Sequence, residues 1–387
     1  MPEEDMRNVY TLGFVSFFTD VSSEMVFSVL PVFILSLPGS SIATLGIIEG
    51  TAEALSYILR AVSGLVSDKF QSRKPLILLG YAVSNVAKPF FAMASTVTDA
   101  LFIRVADRVG KGIRTAPRDA LISDSVSGNH RGEAFGLHRT LDQTGAILGP
   151  LIATAVMVYL GWTMTEVFWL SLLPGTVALL IILFGVREIV GGDGGEFRFL
   201  SGIREALSGR FIWLLVIVAL FSLGAFNFSF VLLNARQMGV EDALIPVVYA
   251  VLNVTHTIVA IPVGRLADRI GKEKALVIGY IIFAVTALLL YITPSSVPAA
   301  FLIAAVFGVY MGVVETVQRA LIPGYVDSSL RGTAYGIYYL VIGSAFLVAN
   351  SLVGSLWQTM GLWASSVYSG SLASLAVIGL LYFTKGR

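Results

Sequence analysis

Residues 104 to 120 read RVADRVGKGIRTAPRDA. Five cations (Arg104, Arg108, Lys111, Arg114 and Arg118) fall within fifteen residues. Arg104, Arg108 and Lys111 stand at i, i+4 and i+7, so a helix gathers them on one face, with Asp107, Arg114 and Arg118 on an adjoining face. Acids recur at helical spacing elsewhere: Asp20 with Glu24, Glu49 with Glu53 and Arg60 beyond, and Asp142 one turn after His138. Carboxyls among fixed cations take up and release protons, and guanidinium and ammonium groups receive anionic parts of a ligand. The second half of the chain is sparser, with Asn227, His256, Glu315, Gln318 and Arg319 as its candidates.

The elements that carry these residues are apolar. The 387-residue chain is 56% hydrophobic and only 13% charged, with a mean hydropathy of +0.82. Soluble domains carry about 25% charged residues. A spanning helix needs about 20 mostly apolar residues. Twelve such runs can be read, at 10–37, 42–67, 75–95, 98–123, 133–160, 165–187, 210–235, 243–266, 274–293, 297–324, 332–358 and 362–384. The chain is therefore expected to be an all-α membrane protein. A charge at the bilayer centre costs about 3 kcal/mol on insertion scales. The cationic face of span 4 must then line a water-filled cavity or pair with acids of neighbouring spans.

Other classes are excluded or unsupported. The net charge of +1 gives no nucleic-acid footprint, and with no cysteine there are neither disulfides nor thiolate metal sites. No phosphate-loop, zinc-protease or nucleophile-elbow motif occurs, so no enzyme, metal or cofactor is expected. The acidic start MPEEDMRNVY lacks the basic region of a cleavable signal, so the first run reads as a retained span. Alternate loops collect the basic residues, among them Arg73, Lys74, Arg131, Arg204, Arg269, Lys274 and Arg331. The positive-inside rule then puts both termini on the cytoplasmic side of the plasma membrane.

The chain repeats itself at an offset of 200 residues. GLVSDKFQSRKPLILLG at Gly64 matches GRLADRIGKEKALVIGY at Gly264, RGEAFGL at Arg131 matches RGTAYGI at Arg331, and RDALI at Arg118 matches QRALI at Gln318. The Gly-rich, charged stretch 188–209 separates the copies. We read a six-span bundle at 1–187, a cytoplasmic linker at 188–209 and a second six-span bundle at 210–387, duplicated in parallel orientation.

The paired stretches GLVSDKFQSRK and GRLADRIGKEK resemble the loop 2–3 and loop 8–9 signature of the major facilitator superfamily, G-x-L-x-D-[RK]-x-G-[RK]-[RK]. The first copy departs from it with Gln71 in place of Gly. Arg108, Lys111 and Gly112 in span 4, and the partial span 5 motif of Gly145, Gly149 and Pro150, resemble the drug:proton antiporter branch. The resemblance implies the major facilitator fold, two pseudo-symmetric six-helix bundles. It implies a secondary transporter that exports a small amphipathic or organic-ion substrate against protons by alternating access. Alternatives on the same fold are a proton-coupled symporter of an organic anion and a non-transporting membrane sensor.

On this reading Asp20, Glu24, Asp142 and Arg108 couple protons. Glu53, Arg104, Arg108, Lys111, His138, Asn227, His256 and Glu315 meet substrate. Gly64, Asp68, Arg73, Lys74, Asp119, Gly264, Asp268, Arg269 and Lys274 form the gate, with Asp124 and Asp327 as further acids for its cations. Gly145, Gly149 and Pro150 pack and bend span 5, which in such antiporters lies between the halves. The expected partners are a small-molecule substrate, protons and the lipid bilayer, with no nucleic acid, and the chain is expected to be a monomer.

Overall fold

The computed structural model describes residues 6–70, 72–126, 130–189, 205, 207, 209–327 and 330–385, with only the backbone described at 64, 65, 67–70 and 385. Fourteen α-helices lie among them: α1 Met6–Ser36, α2 Ile42–Phe70, α3 Lys74–Ala87, α4 Val97–Asp124, α5 Arg131–Leu160, α6 Met164–Leu170, α7 Leu172–Gly185, α8 Gly209–Gly224, α9 Phe228–Gln237, α10 Ile245–Ile270, α11 Lys272–Ile292, α12 Val297–Leu321, α13 Arg331–Met360 and α14 Leu362–Lys385. A 3-10 segment, Lys88–Met93, continues α3. Spans six and seven are each made of two helices, α6 with α7 and α8 with α9.

Eleven helical segments among the described residues are long and apolar enough to cross a membrane. The twelfth run, α4, has the length but not the composition, because it carries the cationic stretch. Its start is fixed locally by a capping box: Asp99 N–H donates to Thr96 Oγ1 at 3.1 Å, and Thr96 N–H donates to Asp99 Oδ2 at 2.9 Å. The charged face then turns inward. Arg104, Asp107, Arg108 and Arg114 are all buried, while Phe102 on another face of the helix is 67% exposed. Large apolar side chains such as Tyr159, Phe184 and Tyr382 are likewise exposed, a surface that lipid would cover.

The chain divides into two compact units. The first comprises Met1–Phe33, Leu37–Gly39 and Leu55–Phe197; the second comprises Ile34–Ser36, Ser40–Ala54 and Arg198–Arg387. The second unit thus takes the first turns of α2. There Ile42 N–H donates to Gln358 Oε1 at 3.1 Å, and a Cβ at Gly50 would fall 3.0 Å from Leu347 O of α13.

The sequence duplication reappears as a tertiary contact. In the first unit α4 meets α2 at Gly112, where a Cβ would fall 2.6 Å from Leu59 Cβ and 3.0 Å from Ser56 O. In the second unit α12 meets α10 at Gly312, where a Cβ would fall 2.7 Å from His256 O. Gly112 with Gly312, and Ser56 with His256, stand at the same 200-residue offset. Only a residue without a side chain lets the backbones approach so closely. The cores around these crossings differ. The second unit packs Phe221 on Tyr280 with ring centroids 3.7 Å apart, alongside Phe226, Phe283, Phe307 and Tyr310. Positions 280, 307 and 310 correspond to Gly80, Asp107 and Gly110 of the first unit. One unit is filled with rings where the other holds a charged lattice.

Candidate functional site

The lattice lies in the first unit and has two parts. In the first part, Asp107 of α4 is the acid among buried cations. Its carboxylate accepts from Ser84 Oγ at 2.7 Å, lies 3.5 Å from Arg104 and 4.0 Å from Arg108, and faces Lys88. The Arg104 guanidinium sits 4.0 Å from the centre of the Phe27 ring, and that of Arg108 sits 4.9 Å from it. Lys88, fully buried, donates from Nζ to Ser23 Oγ of α1 and to Asn85 Oδ1, each at 2.8 Å. Burial on this scale requires each charge to be paired or hydrogen-bonded.

The second part joins α1, α3, α4 and α5. The Asp20 and Asp142 carboxyls are neighbours, with Glu24 and Lys111 near Asp20. Arg139 pairs with Asp142 at 3.1 Å. His138 Nε2 lies 2.8 Å from Ser16 Oγ, which lies 3.2 Å from Tyr81 Oη. Arg118 donates to Ser16 Oγ at 3.4 Å and to Asp119 at 2.8 and 2.9 Å. Arg114 lies over the Tyr81 ring at 4.2 Å. Glycine brings α5 onto α1 here: a Cβ at Gly149 would fall 2.7 Å from Val21 O and 3.2 Å from Glu24 Cβ, and one at Gly145 would fall 3.2 Å from Asp20 Cβ. The close helix approach is therefore what sets Asp20 beside Asp142.

The structure thus brings together Asp20, Glu24, Lys111, His138 and Asp142, and separately Arg104 and Arg108. Glu53, half-buried, stands in the segment of α2 that packs with the second unit. In that unit His256 and Glu315, read separately from the sequence, meet at 3.6 Å, and Arg319 approaches Glu315 at 3.8 Å. Asn227 departs from its expected role. Its side-chain oxygen accepts from Ser229 N–H at 2.9 Å as the cap of α9, and its own N–H goes to Asn350 Oδ1 at 2.8 Å. A residue committed at both points serves the break between α8 and α9 first.

The expected gate residues take several different partners. Gly64 and Asp68 lie outside the residues whose side chains are described, as does Gln71 altogether. Arg73 pairs with Asp124 at the end of α4, inside its own unit, and not with Asp119, which is taken by the adjacent Arg118. Lys74 Nζ donates to Leu183 O at 3.0 Å and Val186 O at 2.8 Å. The Glu188 carboxylate accepts the backbone N–H groups of Arg73 and Lys74 at 2.9 and 2.8 Å. In the second copy, Asp268, Arg269 and Lys274 are exposed, and Gly264 has open space around it, with nothing nearer than 3.9 Å to a Cβ. The family glycine of that copy, Gly271, holds φ +95°, a conformation that favours glycine. Pro150 sits inside α5, which continues through it to Leu160.

Sequence reading missed Lys88, Ser16, Tyr81 and Phe27. A lone lysine in the apolar run VAKPFFAMA was a usable signal, since a cation inside a span demands partners. Nothing local marks Ser16, Tyr81 or Phe27, which matter only through their neighbours in space.

Eleven helical segments of bilayer length among the described residues, with an ionisable lattice buried in the first unit, mark a multi-pass membrane protein. The sequence matches the family model described as Major Facilitator Superfamily over residues 12–349, and again over 212–387. It is 32% identical over 384 residues to an uncharacterised MFS-type transporter of Methanocaldococcus jannaschii, covering 97% of this chain and 94% of that one. The chain belongs to the Major Facilitator Superfamily. It is also 25% identical over 341 residues to the multidrug resistance protein MdtL of Escherichia coli O157:H7, covering 86% and 83% of the two chains. Its fold matches the solved nucleoside transporter NupG with a TM-score of 0.78 at 13% identity, covering 98% of this chain and 99% of that one.

Proposed function

We propose that the chain exports a small amphipathic or organic-ion substrate in exchange for protons, by alternating access of its two halves. The observation that carries this reading is the Asp20–Asp142 contact. Two neighbouring carboxyls on membrane-spanning helices repel when both are ionised, which favours a proton on one of them. Losing that proton would leave two like charges at the α1–α5 contact. Lys111 and Arg139 stand ready to draw them apart. Proton release would thereby strain the packing that Gly145 and Gly149 make. Arg108 holds the neighbouring Asp107 group and tunes the field along α4. Lys111, half-buried near Asp20, is the residue of this lattice that we assign to substrate contact. The likeness to a multidrug resistance protein supports export, and the basic loops support cytoplasmic termini.

A second reading has one observation in its favour. Lys88, Arg104, Arg108 and Arg114 are all buried in the first unit. A cluster of cations favours an anionic substrate, and its uptake together with a proton is proton-coupled symport.

The test uses protein in liposomes that hold a pH-sensitive dye and an acidic interior. Pooled amphipathic cations are added first, then pooled organic anions. Antiport predicts proton efflux on addition of one pool, and symport predicts proton movement together with substrate. Asp20→Asn and Asp142→Asn should each abolish the coupled proton flux. If both variants keep the wild-type flux and its pH dependence, the proton site is elsewhere.

A further inference from the structure

Beside the Asp20–Asp142 pair lies a second rung between the same two helices. Ser16 stands four residues before Asp20 on α1, and His138 stands four before Asp142 on α5. Four residues make about one helical turn, or about 6 Å along the axis. The Ser16 Oγ–His138 Nε2 contact at 2.8 Å therefore repeats the α1–α5 approach one turn nearer the start of both helices. The imidazole is buried, at 5% exposure. Among the described residues Ser16 is its hydrogen-bond partner, so Nε2 is held and Nδ1 stays uncommitted.

The rung has an outlet. Arg118 of α4 reaches across with one guanidinium: Nη1 donates to Ser16 Oγ at 3.4 Å, while Nε and Nη2 donate to Asp119 Oδ1 at 2.9 and 2.8 Å. A single rigid, planar group thus sets the Asp119 carboxylate beside the Ser16–His138 contact. The Asp119 side chain is 44% exposed, against 14% for Asp142. Helix α4 ends at Asp124 and α5 begins at Arg131, so Asp119 and the start of α5 lie toward the same side of the membrane, that of the basic loops. The charged groups around the imidazole are Asp142 and Arg139 of α5 and Asp119 and Arg118 of α4. From α1 it meets Ser16, and from α3 Tyr81 Oη stands behind Ser16 Oγ at 3.2 Å. A guanidinium keeps its protons, whereas an imidazole takes up and returns one in the physiological range.

We propose that His138 is the proton station between the Asp20–Asp142 pair and the side of the basic loops, with Asp119 as its outlet and Ser16 and Arg118 as positioning residues. The inference rests on the reading that this pair carries the coupled proton. One proton moves in each step. The protonated carboxyl of the pair gives it to the imidazole and becomes a carboxylate, the imidazolium gives it to the Asp119 carboxylate, and the Asp119 carboxyl releases it to water. His138 ends neutral, as it began. On this assignment His138 serves the proton and not the substrate.

The test needs no substrate. The full chain in lipid films is moved from ordinary to heavy water and followed by attenuated total reflection infrared spectroscopy. A protonated carboxyl gives a carbonyl-stretch band that shifts when deuterium replaces its proton. Asp20→Asn and Asp142→Asn identify the band of the pair by removing it. His138→Gln should slow the exchange of that band about 100-fold, the lower end of what a positioned acid–base group contributes, and Asp119→Asn should slow it as well. Imidazole added to the buffer should restore the rate in His138→Ala, which a merely structural role would not do. Misfolding would open the interior and speed the exchange of both the carboxyl and the backbone amides, the opposite sign. Wild-type exchange in His138→Gln with the band intact overturns the relay and leaves the proton pair standing. If neither Asp variant removes a carboxyl band, the reading of the pair falls and the relay falls with it.

Discussion

Replacing Asp107 by Asn removes one negative charge and almost no volume. Asp107 is 2% exposed, and its cationic neighbours Lys88, Arg104 and Arg108 are between 0% and 3% exposed. At an effective dielectric constant of about 20, each of the two close arginine contacts contributes about 4 kcal/mol before desolvation is counted. Desolvation offsets most of that in the intact lattice, but deleting one partner of a buried ion pair costs about 3–5 kcal/mol. For a unit of this size about 2–4 °C accompanies each kcal/mol, so the melting temperature should fall by about 6–20 °C. The assay is far-ultraviolet circular dichroism of the purified chain in detergent during heating. Ser84 can still donate to the Asn side-chain oxygen, so the loss isolates charge from hydrogen bonding. Adding Arg104→Gln to Asp107→Asn removes one of the buried cations that Asp107 balanced and should recover part of the loss. A single-variant melting temperature within about 2 °C of wild type would refute the view that Asp107 balances this cluster.

Two further outcomes follow from the packing. Gly149→Leu places a side chain where a Cβ already comes within 2.7 Å of Val21 O, so it should cost about 1–3 kcal/mol by overpacking and separate Asp20 from Asp142, read as a lower melting temperature and lost proton coupling in liposomes. Asn8→Ala removes three hydrogen bonds from a fully buried residue, to Ser125 Oγ and to both backbone groups of Arg187. That should cost about 2–4 kcal/mol, and hydrogen exchange should show the Arg187 amide losing protection while amides in α12 keep theirs.

The sequence by itself determined the spans, their number and the duplication. Membrane helices announce themselves through local apolar length, because each must satisfy its own backbone and bury no charge against lipid. The offset of 200 residues even carried over to a contact, Gly112 on Ser56 and Gly312 on His256. The same logic marked α4 as the helix whose charges must be buried, since charges inside a span require partners. Which partners they take was decided only by tertiary structure. Asp20 meets Asp142 because two glycines on α5 admit α1, and nothing in the spacing of either helix states that distance. Arg73 takes Asp124 from among the three acids the sequence offered, and Lys74 finds the end of α7. Asn227 becomes a helix cap because span seven breaks just before it. Lys88 becomes part of the lattice because its ammonium reaches Ser23 on α1. Helix existence depends on neighbours in sequence. Ion pairing depends on distances between helices, and those were set by where small residues let backbones close.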